Sequence, residues 1–360
     1  MNISHISLEH YRNIALARLE FDVNRPTFLL GSNGQGKSNL LEALSLLTAV
    51  RSFRTHELGP LIMNRKRQAR VIYEVHSERD SVPVQVELQL SSRTRNVRLD
   101  ETPVERMADF VGQFPSVVFA SDDTQLIKLS PQARRRFFDL LFSVLDREYL
   151  RGLQAYHRTL KERNHSLKSG MDRTVVVAFD RILAKWGFFL MTRRREWMQR
   201  FAPCFERNYA TLADSEAGEV SYRPSLELDS EERYLERLAS GFERDRVTGS
   251  TQIGPHRDDY SFEVQEFGAK THGSDGQQRS VALALKLAQI EIIETVLARK
   301  PVILLDDILG ELDDARKERF WSIFARGCQV FASGTSLPRH PSDLDWQVMH
   351  VEAGTFALRD

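Results

Sequence analysis

The sequence predicts an α/β fold, and three observations carry the prediction. An apolar run, Thr27-Phe28-Leu29-Leu30, enters Gly31-Ser32-Asn33-Gly34-Gln35-Gly36-Lys37-Ser38 and leaves through Asn39-Leu40-Leu41-Glu42-Ala43-Leu44, which reads as strand, glycine loop and helix. Far along the chain, Val302-Ile303-Leu304-Leu305 is a buried-type strand ending in two carboxylates, Asp306 and Asp307. After about Phe119, helical patterns replace the strand patterns of the first part. The expected organisation is a discontinuous nucleotide-binding head with mixed sheets, residues 1–118 and 248–360, interrupted by a mostly helical insert, residues 119–247.

In chain order, residues 3–10 and 15–22 read as short strands joined at Tyr11-Arg12-Asn13-Ile14, followed by the phosphate-loop strand and a helix to about Val50. Val71–Val75 and Val84–Leu90 mostly alternate apolar and polar side chains, the mark of antiparallel strands with one buried face, and Asn96–Leu99 adds another. Ser130-Pro131 supplies an N-cap and a proline at the first helical position. Helices are expected from there to about Leu212, with a further charged helix over Glu231–Arg246. Strand signal returns at Tyr260–Val264. A helix follows from Gln277 to about Ala298, and Gln329–Ala332 is a strand beyond Val302–Leu305.

A chain of 360 residues, 41% hydrophobic and 28% charged, suits a globular protein with one large core or two subdomains. Lys+Arg and Asp+Glu each total 50, so nucleic-acid binding must rest on local basic patches rather than net charge. The start, Met1–His10, has neither a basic leader nor a long apolar run, which predicts no signal peptide. No stretch approaches the ~18 uninterrupted apolar residues of a spanning helix. Cys204 and Cys328 stand far apart without metal-ligand spacing, which fits a reduced, cytoplasmic setting.

The glycine loop carries the most specific chemistry. Glycines let backbone N–H groups curl around an anion, and the new helix aims its positive end at the same point. Gly31, Ser32, Asn33, Gly34, Gln35, Gly36, Lys37, Ser38 and Asn39 are therefore candidate nucleotide contacts. Lys37 reaches the β- and γ-phosphates and the Ser38 hydroxyl ligates Mg²⁺, so ATP and Mg²⁺ are the expected cofactors. Asp306, at the carboxyl edge of a central strand, is the expected Mg²⁺-side acid. Asp307 is the candidate general base for the attacking water, with Lys37 as the catalytic cation. A core strand ending in a solvated turn is the plainer reading of this segment, and the phosphate loop upstream weighs against it. Gly310-Glu311-Leu312-Asp313-Asp314 opens an amphipathic helix whose early acids complement the dipole.

Upstream, Ser274-Asp275-Gly276-Gln277-Gln278-Arg279-Ser280 opens a long apolar helix, either an ordinary cap or another anion-binding N-terminus. Taken in order, this segment, the strand ending in Asp-Asp and the Glu-Leu-Asp that follows resemble the ABC-type ATPases. That resemblance implies that Ser274, Gly276 and Gln277 contact a γ-phosphate held by an opposite subunit, so that the nucleotide joins two heads.

The whole chain resembles the RecF family, the DNA-repair branch of ABC ATPases related to Rad50 and SMC heads. The resemblance rests on Tyr11-Arg12-Asn13-Ile14, the Gly31–Ser38 loop, Arg51-Ser52-Phe53-Arg54-Thr55, Gly254-Pro255-His256-Arg257-Asp258-Asp259, the Ser274–Arg279 segment and Leu305-Asp306-Asp307 with Glu311-Leu312-Asp313. It implies an ABC-type head with a helical lid, an ATP-dependent homodimer, weak DNA-stimulated ATPase activity, and DNA binding at single-strand/duplex junctions. It also implies work with RecR and RecO in loading RecA at gaps, and no membrane partner. Asp275 departs from the family pattern by putting an acid beside a trans phosphate, which weakens that contact. Ala120-Ser121-Asp122-Asp123 departs from the family's usual turn after the strand.

Other residues have two readings each. By resemblance to Rad50-like heads, Arg12 contacts the nucleotide phosphates and Asn13 shapes the turn; the alternative for Arg12 is a salt bridge at the strand turn. Arg51, Arg54, Arg65, Lys66, Arg67 and Arg70 are the candidate DNA contacts, basic charge near a nucleotide face, and equally a solvated surface. Arg134-Arg135-Arg136 and Arg193-Arg194-Arg195 spread around their helices and read as solvated. His256, in a Gly-Pro turn, is either a γ-phosphate sensor or a structural turn residue. Ser333 and Thr335 stand where many ABC ATPases carry a switch histidine. Two competing functions share the head: a transporter ATPase subunit, whose usual catalytic acid is Glu rather than Asp307, and an ATP-gated scaffold that does not hydrolyse.

Overall fold

A computed structural model describes residues 1–76, 82–310, 317–321, 327–338 and 344–358. By backbone contact the chain forms two compact units, Met1–Asp123 with Gln289–Asp360, and Thr124–Ala288. Segment 248–288, placed with the head from sequence, clusters with the second unit. The cause is local pairing: Asp259–Val264 lies antiparallel between Gly218–Arg223 and Phe267–Gly268, so this stretch is hydrogen-bonded to its neighbours in that unit.

The first unit contains two six-stranded sheets. One is antiparallel, in the order Ile14–Glu20, Asn2–Tyr11, Gln68–His76, Val84–Ser91, Arg95–Leu99, Thr102–Pro103. Its strands alternate as expected, with Val71, Tyr73 and Val75 facing the core. The other runs Thr355–Leu358, Gln347–Glu352, Thr27–Leu30, Val330–Gly334, Val302–Asp306, Ser116–Ala120, parallel except for the final hairpin. Its central strands are apolar on both faces, the pattern of a covered parallel sheet. Helix Lys37–Ala49 is buried around nearly its whole circumference, because it packs in one core with side chains of both sheets. The Tyr73 hydroxyl of the antiparallel sheet donates to the Ala43 carbonyl of this helix.

The strand Gln347–Glu352 and the hairpin closing on Thr355–Leu358 have no counterpart in the sequence reading. The turn Ala353-Gly354 has positive φ at both positions, 46° and 79°, the two-residue hairpin geometry that glycine favours.

The second unit is mostly helical: Pro131–Leu145, Arg147–Lys168, Asp180–Leu212, Glu231–Ser240, Phe242–Thr248 and the start of Asp275–Leu297. The expected helix Glu231–Arg246 is two helices, broken at Gly241. Asp146 caps Arg147–Lys168 by accepting from the Glu148 and Tyr149 amides.

Two of the arginine runs are not solvated as read. Successive helical residues point 100° apart, so a run of three must turn at least one side chain inward when a helix is packed on several sides. Arg134 is buried and donates from Nε and Nη2 to Asp259, at 2.7 and 3.0 Å. Arg194 is 1% exposed and donates to Asp258 at 2.9 Å, Asp139 at 2.8 Å and the Pro255 carbonyl at 2.7 Å. Arg163, which no motif singled out, pairs with Asp180 and Asp245, both at 2.7 Å. Buried charges of this kind are tolerated only when their hydrogen bonds are made within the core.

The segment Gly254–Asp259 is consumed by these networks. Asp258 is fully buried, accepting from Arg194, the Ser225 amide and the Tyr222 hydroxyl. His256 resolves toward the structural reading. Its Nε2 faces the Thr251 carbonyl at 2.9 Å and must donate, so Nδ1 is the acceptor for the Tyr156 hydroxyl at 2.8 Å. Burial pushes its pKa down to about 4, against the help of the Thr251 carbonyl.

This sets a pH dependence. Between pH 6.5 and about 4 the unfolded chain binds a proton at His256 that the folded protein refuses, so stability falls as pH falls through that window. The loss is on the order of 3 kcal/mol at most, from the size of the shift. Chemical denaturation at stepped pH measures it, and His256→Gln flattens that limb.

Candidate functional site

The loop Gly31–Ser38 sits at the carboxyl end of Thr27–Leu30, where the parallel sheet opens onto the helix Lys37–Ala49. At Gly31 a Cβ would lie 2.4 Å from the Val351 carbonyl oxygen, so only glycine lets the backbone pass. Gly34 and Gly36 have positive φ, 80° and 118°, which turns the chain into the helix. The sheet's last turn buttresses the loop: the Gly354 amide donates to the Gln35 carbonyl at 2.8 Å, and the Ala353 amide to Gln35 Oε1 at 2.7 Å. This support was invisible in the motif itself. The Ala353-Gly354 pair between the short alternating runs Val348–Val351 and Thr355–Leu358 was the signal that could have found it.

Lys37 is 3% exposed, with Nζ donating to the carbonyls of Gly31 at 2.7 Å and Ser32 at 3.1 Å. Its ammonium is thus held over the mouth of the loop. Ser38 Oγ donates to Asp306 Oδ1 at 2.7 Å, which brings together the two residues expected on either side of Mg²⁺. Ser333 adds a second hydroxyl to the same oxygen at 3.0 Å and accepts the Asp307 amide at 3.1 Å. Its strand, Val330–Gly334, lies between the phosphate-loop strand and the strand of Asp306. That position makes Ser333 a shared partner of both carboxylate residues. Asp307 has φ 55°, an uncommon conformation held by this bond. Burial, together with the neighbouring Asp307, raises the Asp306 pKa, while the two hydroxyls and the charge of Arg54 oppose the rise. A hydroxyl and a carboxylate oxygen converging beside a phosphate loop are the hard donors that Mg²⁺ takes, so these residues fit the ion.

Arg12 and Asn13 flank the loop on the other side. Arg12 is bound to the fully buried Glu42, at 2.7 Å from Nε and 2.6 Å from Nη2. The salt-bridge reading of Arg12 is thus the geometry seen, although the partner lies on the phosphate-loop helix. Ser52 also donates to Glu42. Asn13 donates to the Gln35 carbonyl at 3.3 Å and accepts from Asn39 at 2.7 Å, while Arg54 donates to Asn39 at 2.8 Å. Arg51, Arg54, Arg65, Lys66, Arg67 and Arg70 are all exposed; Arg70 is paired with Glu87 at 2.6 Å, and Arg54 lies 3.9 Å from Glu42.

In the second unit, Ser274 caps the helix Asp275–Leu297. Its hydroxyl accepts from the Gln277 amide at 3.2 Å, and Gln277 Oε1 accepts from the Ser274 amide at 2.9 Å, a reciprocal capping box. Gly276 is half-buried. Gln277 is half-buried. Asp275 is exposed and paired with Lys128 at 3.0 Å, which offsets the acid the sequence places in this segment. Glu311, Leu312, Asp313 and Asp314 lie outside the described residues.

With this geometry in view, comparison with known proteins is informative. Residues 2–333 match the model of the RecF/RecN/SMC N-terminal domain. A protein named DNA replication and repair protein RecF from Streptococcus agalactiae serotype Ia is 34% identical, covering 100% of this chain and 99% of its own. Its namesake from Staphylococcus carnosus is 33% identical over 94% of both. A solved structure described as the recombination mediator protein RecF with ATP in the RecFOR pathway aligns with TM-score 0.92 at 28% identity, covering 100% of this chain and 98% of the other. An Smc head bound to a domain of ScpA aligns with TM-score 0.56 at 16% identity, a likeness of fold alone. The architecture is an ABC-type α/β head fold with helical content. Among the described residues, no helix is long and apolar enough to cross a membrane.

Two substitutions test the site. Lys37→Ala weakens ATP binding about tenfold to a hundredfold, the loss of a charge-assisted contact, as read by titration calorimetry. Asp306→Asn removes a buried charge and raises the stability of the nucleotide-free protein at neutral pH, as read by chemical denaturation. The same variant loses the additional thermal shift that Mg²⁺ gives with ATP. An unchanged Mg²⁺ response removes Asp306 from the metal site.

Proposed function

The chain belongs to the RecF/RecN/SMC N-terminal domain family, with RecF proteins as relatives over its full length, and on that premise we propose that it is an ATP-dependent DNA-binding protein of recombinational repair and replication restart. The observation that carries this reading is the junction of Ser38, Asp306 and Ser333 beneath the phosphate loop, together with a capped, exposed Ser274 on the second unit. Each is half of a composite site. The proposed working division gives the nucleotide chemistry to 1–118 and 248–360 and the lid to 119–247, although 248–288 is built into the second compact unit.

The backbone amides of Gly31–Gly36 cradle the polyphosphate, and Lys37 moves from the loop carbonyls to the β- and γ-oxygens. Ser38 and Asp306 would hold Mg²⁺, which when bound neutralises charge on those oxygens. Asp307 accepts the proton of the attacking water, and its amide bond to Ser333 keeps the carboxylate-bearing turn in place. The Ser274 oxygen is occupied as an acceptor, so its O–H proton is available to a phosphate oxygen of ATP held by a second copy of the chain.

Closure of two heads grips DNA, and slow hydrolysis acts as a release timer. Arg51, Arg54, Arg65, Lys66 and Arg67 are the proposed phosphate contacts, with Arg70 shared between Glu87 and DNA. DNA-stimulated turnover, preference for single-strand/duplex junctions and cooperation with RecR, RecO and RecA are part of the same proposal.

Sedimentation with and without ATP–Mg²⁺ tests it. The wild type shifts from monomer to dimer, and DNA raises turnover. Asp307→Asn accumulates as a closed dimer on DNA, while Ser274→Arg binds ATP and stays monomeric. An identical monomer with and without ATP rejects the two-head model.

A further inference from the structure

We infer that Glu216 is a positioning residue for the serine that meets the nucleotide in trans, acting through Gln277. The inference rests on the trans reading of Ser274 above and adds a residue no motif contains. Glu216 lies in the short loop between the long helix Asp180–Leu212 and the strand Gly218–Arg223. Both of its carboxylate oxygens are used. Oε2 accepts from the Tyr209 hydroxyl at 2.7 Å, and Oε1 accepts from Gln277 Nε2 at 2.7 Å. Tyr209 is fully buried in the long helix, so the carboxylate is anchored to the body of the unit rather than swinging at its surface.

The consequence is chemical. A glutamine amide has one accepting and one donating end, and the two orientations are nearly equal in shape. Capping requires the oxygen to face the Ser274 amide, and an amide turned the other way would set two donors against each other. By accepting from Nε2, Glu216 selects the orientation that completes the capping box. The box then holds the Ser274 oxygen as an acceptor of the Gln277 amide and leaves the hydroxyl proton for an incoming phosphate oxygen. The path Tyr209–Glu216–Gln277–Ser274 thus ties the long helix of this unit to the group that reads ATP on another copy. It also reassigns Gln277: its side chain orients the contact and does not make it.

The test separates ATP binding from closure. Glu216→Ala binds ATP with wild-type affinity, read by calorimetry, but its ATP-driven dimer dissociates about tenfold more readily in sedimentation, the loss of one positioning hydrogen-bond chain. Gln277→Glu alone is weakened as well, because two carboxylates then face each other, whereas Glu216→Gln alone closes like wild type, its amide oxygen accepting from Gln277 Nε2 and its NH2 donating to the Tyr209 oxygen. The exchanged pair, Glu216→Gln with Gln277→Glu, restores the 216–277 bond with donor and acceptor swapped, leaves a carboxylate oxygen to accept the Ser274 amide, and recovers dimerisation. A Glu216→Ala protein that closes like wild type overturns the inference, as does an exchanged pair that is folded yet no better than Gln277→Glu alone. If the wild type closes and Ser274→Arg does not, such a result removes Glu216 alone. If the wild type never closes, the trans reading falls and this inference falls with it.

Discussion

The hydrogen bond from Ser38 to Asp306, joined at the same oxygen by Ser333, is the constraint on which the nucleotide site depends. It links the first turn of the phosphate-loop helix to the end of a central strand and to the strand between them. A carboxylate at that depth is costly unless hydrogen-bonded, and both donors are hydroxyls that keep acceptor capacity of their own. The atoms that satisfy Asp306 within the fold include the Ser38 oxygen, which would be offered to a hard cation under the proposed function. The strand order places Val330–Gly334 beside both partners, which lets one serine steady Asp306 and the backbone of Asp307 together. The loop gains its rigidity from elsewhere, through the amides of Ala353 and Gly354 on Gln35 and the close passage of Gly31 past Val351.

The second unit solves a different problem with the same chemistry. Its helices bury Arg134, Arg163 and Arg194, each matched to aspartates that are distant in sequence. Removing one member of such a pair leaves an uncompensated charge, so the networks specify a single packing more than they add net stability. The Gly254–Asp259 segment threads through two of them and then runs into the strand and turn that lead to Ser274. A rigid interior thus ends in an exposed serine whose oxygen is already spoken for.

Much of the site was legible because its chemistry is local. Glycine spacing, Lys37, Ser38 and a strand ending in Asp306-Asp307 are each short-range signals, and the structure brings Ser38 and Asp306 together. What escaped was set by contacts between distant segments. Arg194 looks like surface charge until Asp258 and Asp139 are placed around it, and the acid that pairs with Arg12 is Glu42, on the phosphate-loop helix rather than at the strand turn. Ser333 appeared only as a residue standing where a histidine was expected. Its role follows from strand order, which periodicity does not reveal. The cap formed by Ser274 and Gln277 was readable as an S-x-x-Q pattern, but the partner that orients Gln277 lies on another element altogether.

In the proposed arrangement, one working site is made from two chains. Mixing two impaired variants at an ATP concentration that Lys37→Ala does not bind is the decisive experiment: Lys37→Ala leaves its own loop empty but keeps an intact Ser274, and Ser274→Arg holds ATP but cannot contact it in trans. A mixed dimer contains one complete site, so the mixture hydrolyses ATP although neither variant does so alone. A mixture no more active than the sum of its parts would place Ser274 and Lys37 in the same chain's site, or in no common site, and would rule out the two-chain site.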